Sequence, residues 1–207
     1  MSINVRKATS ADAAFLAQMI LQSTRAGKKI GMYDLIFNTD KDEEIVAKLE
    51  KLTNTNAKSS CHYSNFLIAE VNGRCVGTLC SYEPRISTRE TFLNALLEIG
   101  IDASESECLA VLNVCGFELN NKILIFDYME EIEGFMDVGV LKALMQKSLL
   151  NARLKGYRLA QTIVEIGALQ TLMYYKKLGF KEVKEKECEP YKELFGRAGL
   201  VLLSIEF

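Results

Sequence analysis

Residues 122–180, KILIFDYMEEIEGFMDVGVLKALMQKSLLNARLKGYRLAQTIVEIGALQTLMYYKKLGF, limit the fold more than any other part of the chain. Ile123 to Tyr128 is an apolar run of strand character, and the central strand is expected over Ile123–Glu131. An acidic segment, Glu130 to Glu133, leads into Gly134. From Asp137 to Arg153 the residues Val138, Leu141, Leu144, Met145, Ser148, Leu149 and Ala152 recur at helical spacing, and Lys155-Gly156 supplies a stop. A second apolar run, Leu159 to Ile166, precedes a short helix, Gln170 to Leu178, that ends in Gly179-Phe180. Strand, helix, strand, helix in this order is the pattern of a ligand-binding α/β unit with parallel strands.

The flanking segments extend the pattern. Ile3 to Ala8 reads as a strand, and Thr9 or Ser10 can cap a helix with Asp12 in its first turn. That helix gathers Ala13, Leu16, Ala17, Ile20 and Leu21 on one face. Residues 26–40 form a glycine-punctuated loop with room for a short helix, and Lys41 to Leu52 is a second helix. Phe66–Val71 and Arg74–Tyr82 flank Asn72-Gly73, a dipeptide that accepts positive φ at both turn positions and so marks a hairpin. Residues 85–121 read as a helical insertion, with helices over Thr88–Ile99 and Ser104–Val114. Ser104 and Glu107 offer the second helix a capping box. The insertion either covers a cleft or is a packed elaboration. Lys181 to Lys186 alternates Val183 with charge, as a solvent-facing strand does. Tyr191 to Gly196 suits a helical turn, and Leu200 to Phe207 a strand.

Bulk properties exclude several classes. The 207 residues suit one domain. A net charge of −2 argues against nucleic acid as the main partner. No apolar run approaches the roughly 20 residues of a membrane helix. MSINVRKATSADAAF lacks the layout of a secretory signal, so the cytoplasm is the expected location. The cysteines, Cys61, Cys75, Cys80, Cys108, Cys115 and Cys188, are expected as reduced, mostly buried thiols. The one histidine, His62, lies in a polar loop and is expected to be exposed. No C-x-x-C pair accompanies it, so no metal site is expected.

The order of elements resembles the GNAT family of N-acetyltransferases over nearly the whole chain, the 85–121 segment apart. Leu172-Met173-Tyr174-Tyr175-Lys176-Lys177-Leu178-Gly179-Phe180 is similar to the family ending "lYeklGF". Residues Phe66 to Gly77 are similar to its hairpin "flvAe.dG.vvG", and Arg6-Lys7-Ala8-Thr9 with Asp12 to its opening "iR.at..D". The resemblance implies a single-domain α/β (α+β) fold: a mixed sheet flanked by helices, with splayed central parallel strands. It implies acetyl-CoA as cofactor, with the pantetheine along Met129, Glu130, Glu131 and Ile132. The pyrophosphate would meet the helix start at Asp137, Val138, Gly139, Val140, Leu141 and Lys142, where free N–H groups and the helix dipole attract phosphate. It also implies a small-molecule or peptide amine acceptor, and it allows a homodimer built through Leu200–Phe207.

One departure weakens that reading. The family's phosphate loop, Arg/Gln-x-x-Gly-x-Gly/Ala, falls on Met136-Asp137-Val138-Gly139-Val140-Leu141, which keeps only Gly139. Asp137 would compete with phosphate for the helix N–H groups. Acetyl transfer also needs a general acid for the leaving thiolate and a base for the amine. Tyr175 matches the family's general acid, the alternative being a packed helix aromatic. Glu131 is the first candidate base, and Asp127 the second, on the same face by a period of two. Acidic Asp127, Glu130, Glu131 and Glu133 favour a cationic amine. The expected activity is acetyl transfer from acetyl-CoA to a primary amine; the alternative is a catalytically impaired ligand- or partner-binding protein of the same fold.

Overall fold

The computed structural model describes residues 2–135 and 139–207. Its elements are β1 (Ile3–Lys7), α1 (Ala13–Arg25), α2 (Met32–Phe37), α3 (Asp42–Leu52), β2 (Phe66–Val71), β3 (Arg74–Tyr82), α4 (Arg89–Glu98), α5 (Glu107–Cys115), β4 (Leu124–Glu131), α6 (Val140–Leu154), β5 (Leu159–Glu165), α7 (Leu169–Lys177), β6 (Lys181–Glu187), α8 (Glu189–Phe195) and β7 (Gly199–Glu206). The strands form one 7-stranded sheet in the order β1-β2-β3-β4-β5-β7-β6. Only β4 and β5 run parallel, and they pair at just two positions, Leu124 with Ala160 and Ile125 with Gln161. Beyond these β5 stays with β7 through Glu165, so β4 and β5 diverge.

Each face of the sheet has its own core. Helices α1 to α5 and α8 cover one face, burying Leu16, Ile20, Tyr33, Leu49, Leu96 and Phe195 against Phe66, Ile68 and Tyr128. Helices α6 and α7 cover the other, burying Val140, Leu144, Met145 and Tyr175 against Leu79, Leu124, Phe126 and Met129. The α1 face is as expected, with Leu16, Ala17, Ile20 and Leu21 buried. Thr9 and Asp12 close the box before it: Asp12 Oδ2 accepts from the Thr9 N–H at 2.7 Å. The hairpin forms at Asn72 (φ 52°) and Gly73 (φ 76°).

Several expectations need correction. Helix α6 begins at Val140 rather than Asp137, because Gly139 takes φ 88° and a left-handed residue cannot lie inside a right-handed helix. Asp137 and Val138 lie outside the described residues. Helix α5 starts later than expected, capped by Ser106, whose Oγ accepts from the Leu109 N–H at 3.4 Å. Ser104 is instead held in the preceding turn, where its N–H donates to Asp102. Cys115 and Cys188 form a disulfide across 73 residues, against the expectation of reduced thiols. Packing of the insertion sets the C-terminus of α5 against the start of α8, a proximity that spacing does not encode. The other four cysteines are free. His62 is buried, stacked on Tyr63, with Nδ1 and the Ser64 Oγ 2.8 Å apart. Finally, β7 is paired on both sides, so pairing between chains through Leu200–Phe207 is closed; the free edges are β1 and β6. The β6 edge is a Lys/Glu alternation exposed along most of its length, which discourages edge pairing.

Candidate active site

The site begins with a break in β4. Tyr128 takes φ 47°, a conformation uncommon for a bulky side chain. Three contacts hold it. Its N–H donates to Asp127 Oδ1 at 2.8 Å, its carbonyl accepts from Thr78 Oγ1 at 3.0 Å, and its ring stacks on Phe66. Its hydroxyl also lies within 3.3 Å of the Tyr33 hydroxyl and 3.4 Å of Cys61 Sγ. The result is a bulge: Cys80 pairs with Asp127, but Thr78 pairs with Glu130 and Gly77 with Glu131.

That one-residue slip reassigns the faces. Cys80 and Thr78 share a face, so Asp127 and Glu130 share it too. Gly77 faces α6, because a Cβ built there would fall 2.6 Å from Val140 Cγ1. Glu131, opposite Gly77, therefore points towards α6. The expected shared face of Asp127 and Glu131 is overturned, and Glu130 takes the place of Glu131. Gln22 at the end of α1 donates to Glu130 Oε2 at 2.7 Å and to the Glu131 carbonyl at 3.2 Å, fixing this end of the strand.

Two adjoining cavities open where the strands diverge. The first, about 270 Å³, lies between Asp127, Tyr128 and Met129 of β4 and Thr162 to Glu165 of β5, with Tyr175 on its wall. The second, about 510 Å³, continues past Met129, Glu130, Glu131 and Glu133 to Leu141 and the start of α7. Met129, Ala168 and Thr171 line both. Of the other candidate cofactor contacts, Ile132 donates its N–H to the Val76 carbonyl, and Val140 is fully buried. Among the described residues no side chain caps α6 at Gly139, so its first-turn N–H groups are candidate donors to a ligand. Lys142 is exposed one turn in.

Burial sets the proton affinities. Asp127 is pushed up to about 6 by desolvation, opposed by the Tyr128 N–H bond. Glu130 is pushed up to about 7, again by desolvation, with the Gln22 bond acting the other way and the charges of Glu131 and Asp127 adding to it. Tyr175 is raised well above its ordinary value by burial, so its phenol stays protonated at neutral pH. Its ring meets Phe180 edge-on at 5.0 Å, which makes it both a core residue and a cavity wall. Cys61, Cys80 and Cys108 are raised by burial and so are poor nucleophiles.

The opposite wall escaped the sequence reading. Glu165 ends β5 paired with Lys28 and accepts from the Tyr191 hydroxyl at 2.9 Å, with Arg197 Nε 3.6 Å away. These residues come from three distant segments, around Lys28, Glu165 and 191–197, and carry no local signature. Among the described residues no helix is long and apolar enough to cross a membrane.

Comparison with solved structures places this architecture. An N-acetyltransferase from Staphylococcus aureus Mu50 superposes with a TM-score of 0.71 at 16% identity, covering 98% of this chain and 100% of that one. A GNAT-family acetyltransferase from the same organism gives 0.55 at 15%, covering 99% of each. The PaiA N-acetyltransferase of Thermoplasma acidophilum, solved with coenzyme A, gives 0.57 at 13%, covering all of both chains. No family model and no curated protein matches the sequence. The chain has the GNAT fold, with its mixed sheet and splayed central strands.

Proposed function

We propose that the protein is an N-acetyltransferase that moves an acetyl group from acetyl-CoA to a primary amine. One observation carries this: the Tyr175 phenol, Asp127 and Glu130 line two adjoining cavities where β4 and β5 separate. Bound acetyl-CoA would supply an electrophilic carbonyl and a thiolate leaving group. The described residues fit it at the edge of β4 beyond Ile125, where pairing with β5 ends, and at the start of α6, which no described side chain caps. Met129, Glu130, Glu131 and Leu141 would line its arm, and Gly139 to Lys142 its phosphates.

The chain's own groups divide the proton work. Asp127 and Glu130, ionised above about pH 7, hold a cationic amine and accept its proton directly or through water. Tyr175 donates its phenolic proton to the departing sulfur, and Phe180 and the α7 backbone hold it in place. Fluorescence or calorimetric titration with acetyl-CoA, followed by thiol release across amines, tests the reading; Tyr175→Phe tests the acid.

A second reading, a binding protein without catalysis, is favoured by the larger cavity. Arg197 is the sole cation among its described lining residues, and it already faces Glu165. Absence of acetyl-CoA binding at millimolar ligand would select this reading.

A further inference from the structure

We infer that the acceptor is a compact monoamine with an apolar body, selected by the wall that α5 and α8 add to the smaller cavity. The inference rests on the acetyl-transfer reading of that cavity. Its volume of about 270 Å³ lies just below the roughly 300–1,000 Å³ of ordinary small-molecule pockets, so the occupant is compact. Away from β4 the α2, α5 and α8 side of the lining is apolar (Met32, Leu112, Phe195 and the ring of Tyr191), while the hydroxyls of Ser23, Thr24, Thr162 and Thr171 lie on the α1, β5 and α7 sides.

Charge is distributed in the same sense. Asp127 can hold one ammonium at the centre of the cleft. The second carboxylate of this cavity, Glu165, is not available to another cation, because Lys28 is paired with it and Arg197 lies 3.6 Å off. Two cations around one carboxylate leave that end net positive. The distal ammonium of a diamine would meet this repulsion or the apolar wall, and desolvation there has no compensation. A carboxylate-bearing acceptor would have to displace Glu165 from cations that it already holds.

The wall is also braced. The Cys115–Cys188 disulfide joins α5 to α8, and Lys186 Nζ donates to the carbonyls of Val114 at 2.9 Å and Gly116 at 3.0 Å. An acceptor therefore fits a fixed surface, and selectivity follows from apolar area.

The test is a series of butylamine, pentylamine, hexylamine and 2-phenylethylamine against 1,4-diaminobutane, spermidine and lysine. Each is measured by thiol release with acetyl-CoA and by calorimetry on the full chain. The expected kcat/KM rises about threefold to fourfold per added methylene and falls at least ~30-fold when a second ammonium replaces the terminal methyl. In Leu112→Glu, which adds a carboxylate to the wall, the diamine-to-monoamine ratio rises about tenfold. Faster turnover of diamines, spermidine or lysine than of alkylamines overturns the inference and leaves acetyl transfer standing. Graded alkylamine binding without thiol release overturns acetyl transfer and, with it, the assignment of these amines as acceptors. Absence of any chain-length gradient in both measurements overturns it.

Discussion

At the Asp127 end of the cleft, Tyr175 is buried, Asp127 is half-buried, and the left-handed Tyr128 is held by side chains. At the α6 end, the cavity is larger, Leu141 is on its wall, and Glu130, Glu131 and Glu133 face the region where a phosphate would be expected. Under the proposed function the first region would serve proton transfer; among the described residues the second would offer a polyanion little beyond helix N–H groups and Lys142. Donor affinity must then come mostly from backbone bonds and apolar contact along β4, because fixed positive charge is scarce.

The largest expected effect breaks the first region. Tyr175→Phe should lower kcat by at least ~100-fold with the acetyl-CoA dissociation constant unchanged, read by steady-state kinetics beside calorimetry. A loss confined to KM would make Tyr175 a packing residue only.

Next come the carboxyls, where function and stability oppose each other. Their folded-state values, about 6 for Asp127 and about 7 for Glu130, lie above the ordinary 3.8 and 4.5. The neutral forms therefore favour the fold, a contribution complete below the ordinary values and lost as pH rises through the folded ones. The base, in contrast, works only when ionised. Asp127→Asn and Glu130→Gln should each raise Tm at pH ~8, with the gain shrinking as pH falls and vanishing only below pH ~4, while lowering kcat/KM at least ~10-fold. Thermal melts and pH–rate profiles check both halves. An unchanged pH–rate profile in both variants would remove these carboxyls from the proton path.

The bulge behind this pair marks where sequence reading stops. Asn72-Gly73 announces its turn because both residues accept positive φ on their own. Gly179 (φ 103°) announces the end of α7 for the same reason. Tyr128 does not, since beyond the local Asp127 Oδ1 bond its left-handed backbone is held by Thr78 and Phe66, both distant in the chain. Period-two counting across it therefore puts Glu131, rather than Glu130, beside Asp127. The position of Tyr175 on α7 was legible because its motif is local. The Glu165–Lys28–Arg197 wall and the Cys115–Cys188 bridge were not, because only folding brings those segments together.

Intermediate in size is the brace. In the chain-entropy view, a bridge closing 73 residues stabilises by about 4 kcal/mol. Cys115→Ser with Cys188→Ser should lower stability by that order in urea melts. It should also raise the acceptor KM while sparing acetyl-CoA affinity. An equal loss at both ends would erase the distinction between the cavities.

The smallest expected effect probes the α6 end. Lys142→Ala should weaken acetyl-CoA binding about threefold at low salt, and the difference should vanish near ~0.5 M salt, as an exposed charge is screened. A loss above tenfold would show that this end relies on charge after all.

The strand order has a consequence for biosynthesis. β5 holds β4 at only two positions and takes its full ladder from β7, whose residues 199–206 follow β6 and α8 in the chain. During translation, at roughly 5–20 residues per second, the β1–β4 meander can assemble while β5 waits for its antiparallel neighbour. The reaction cleft is therefore completed by threading a later strand between two earlier ones. A nascent chain arrested between β6 and β7 would carry Tyr175 and Asp127 yet lack a rigid β5 to set them against each other, so activity would arise only when that final insertion occurs.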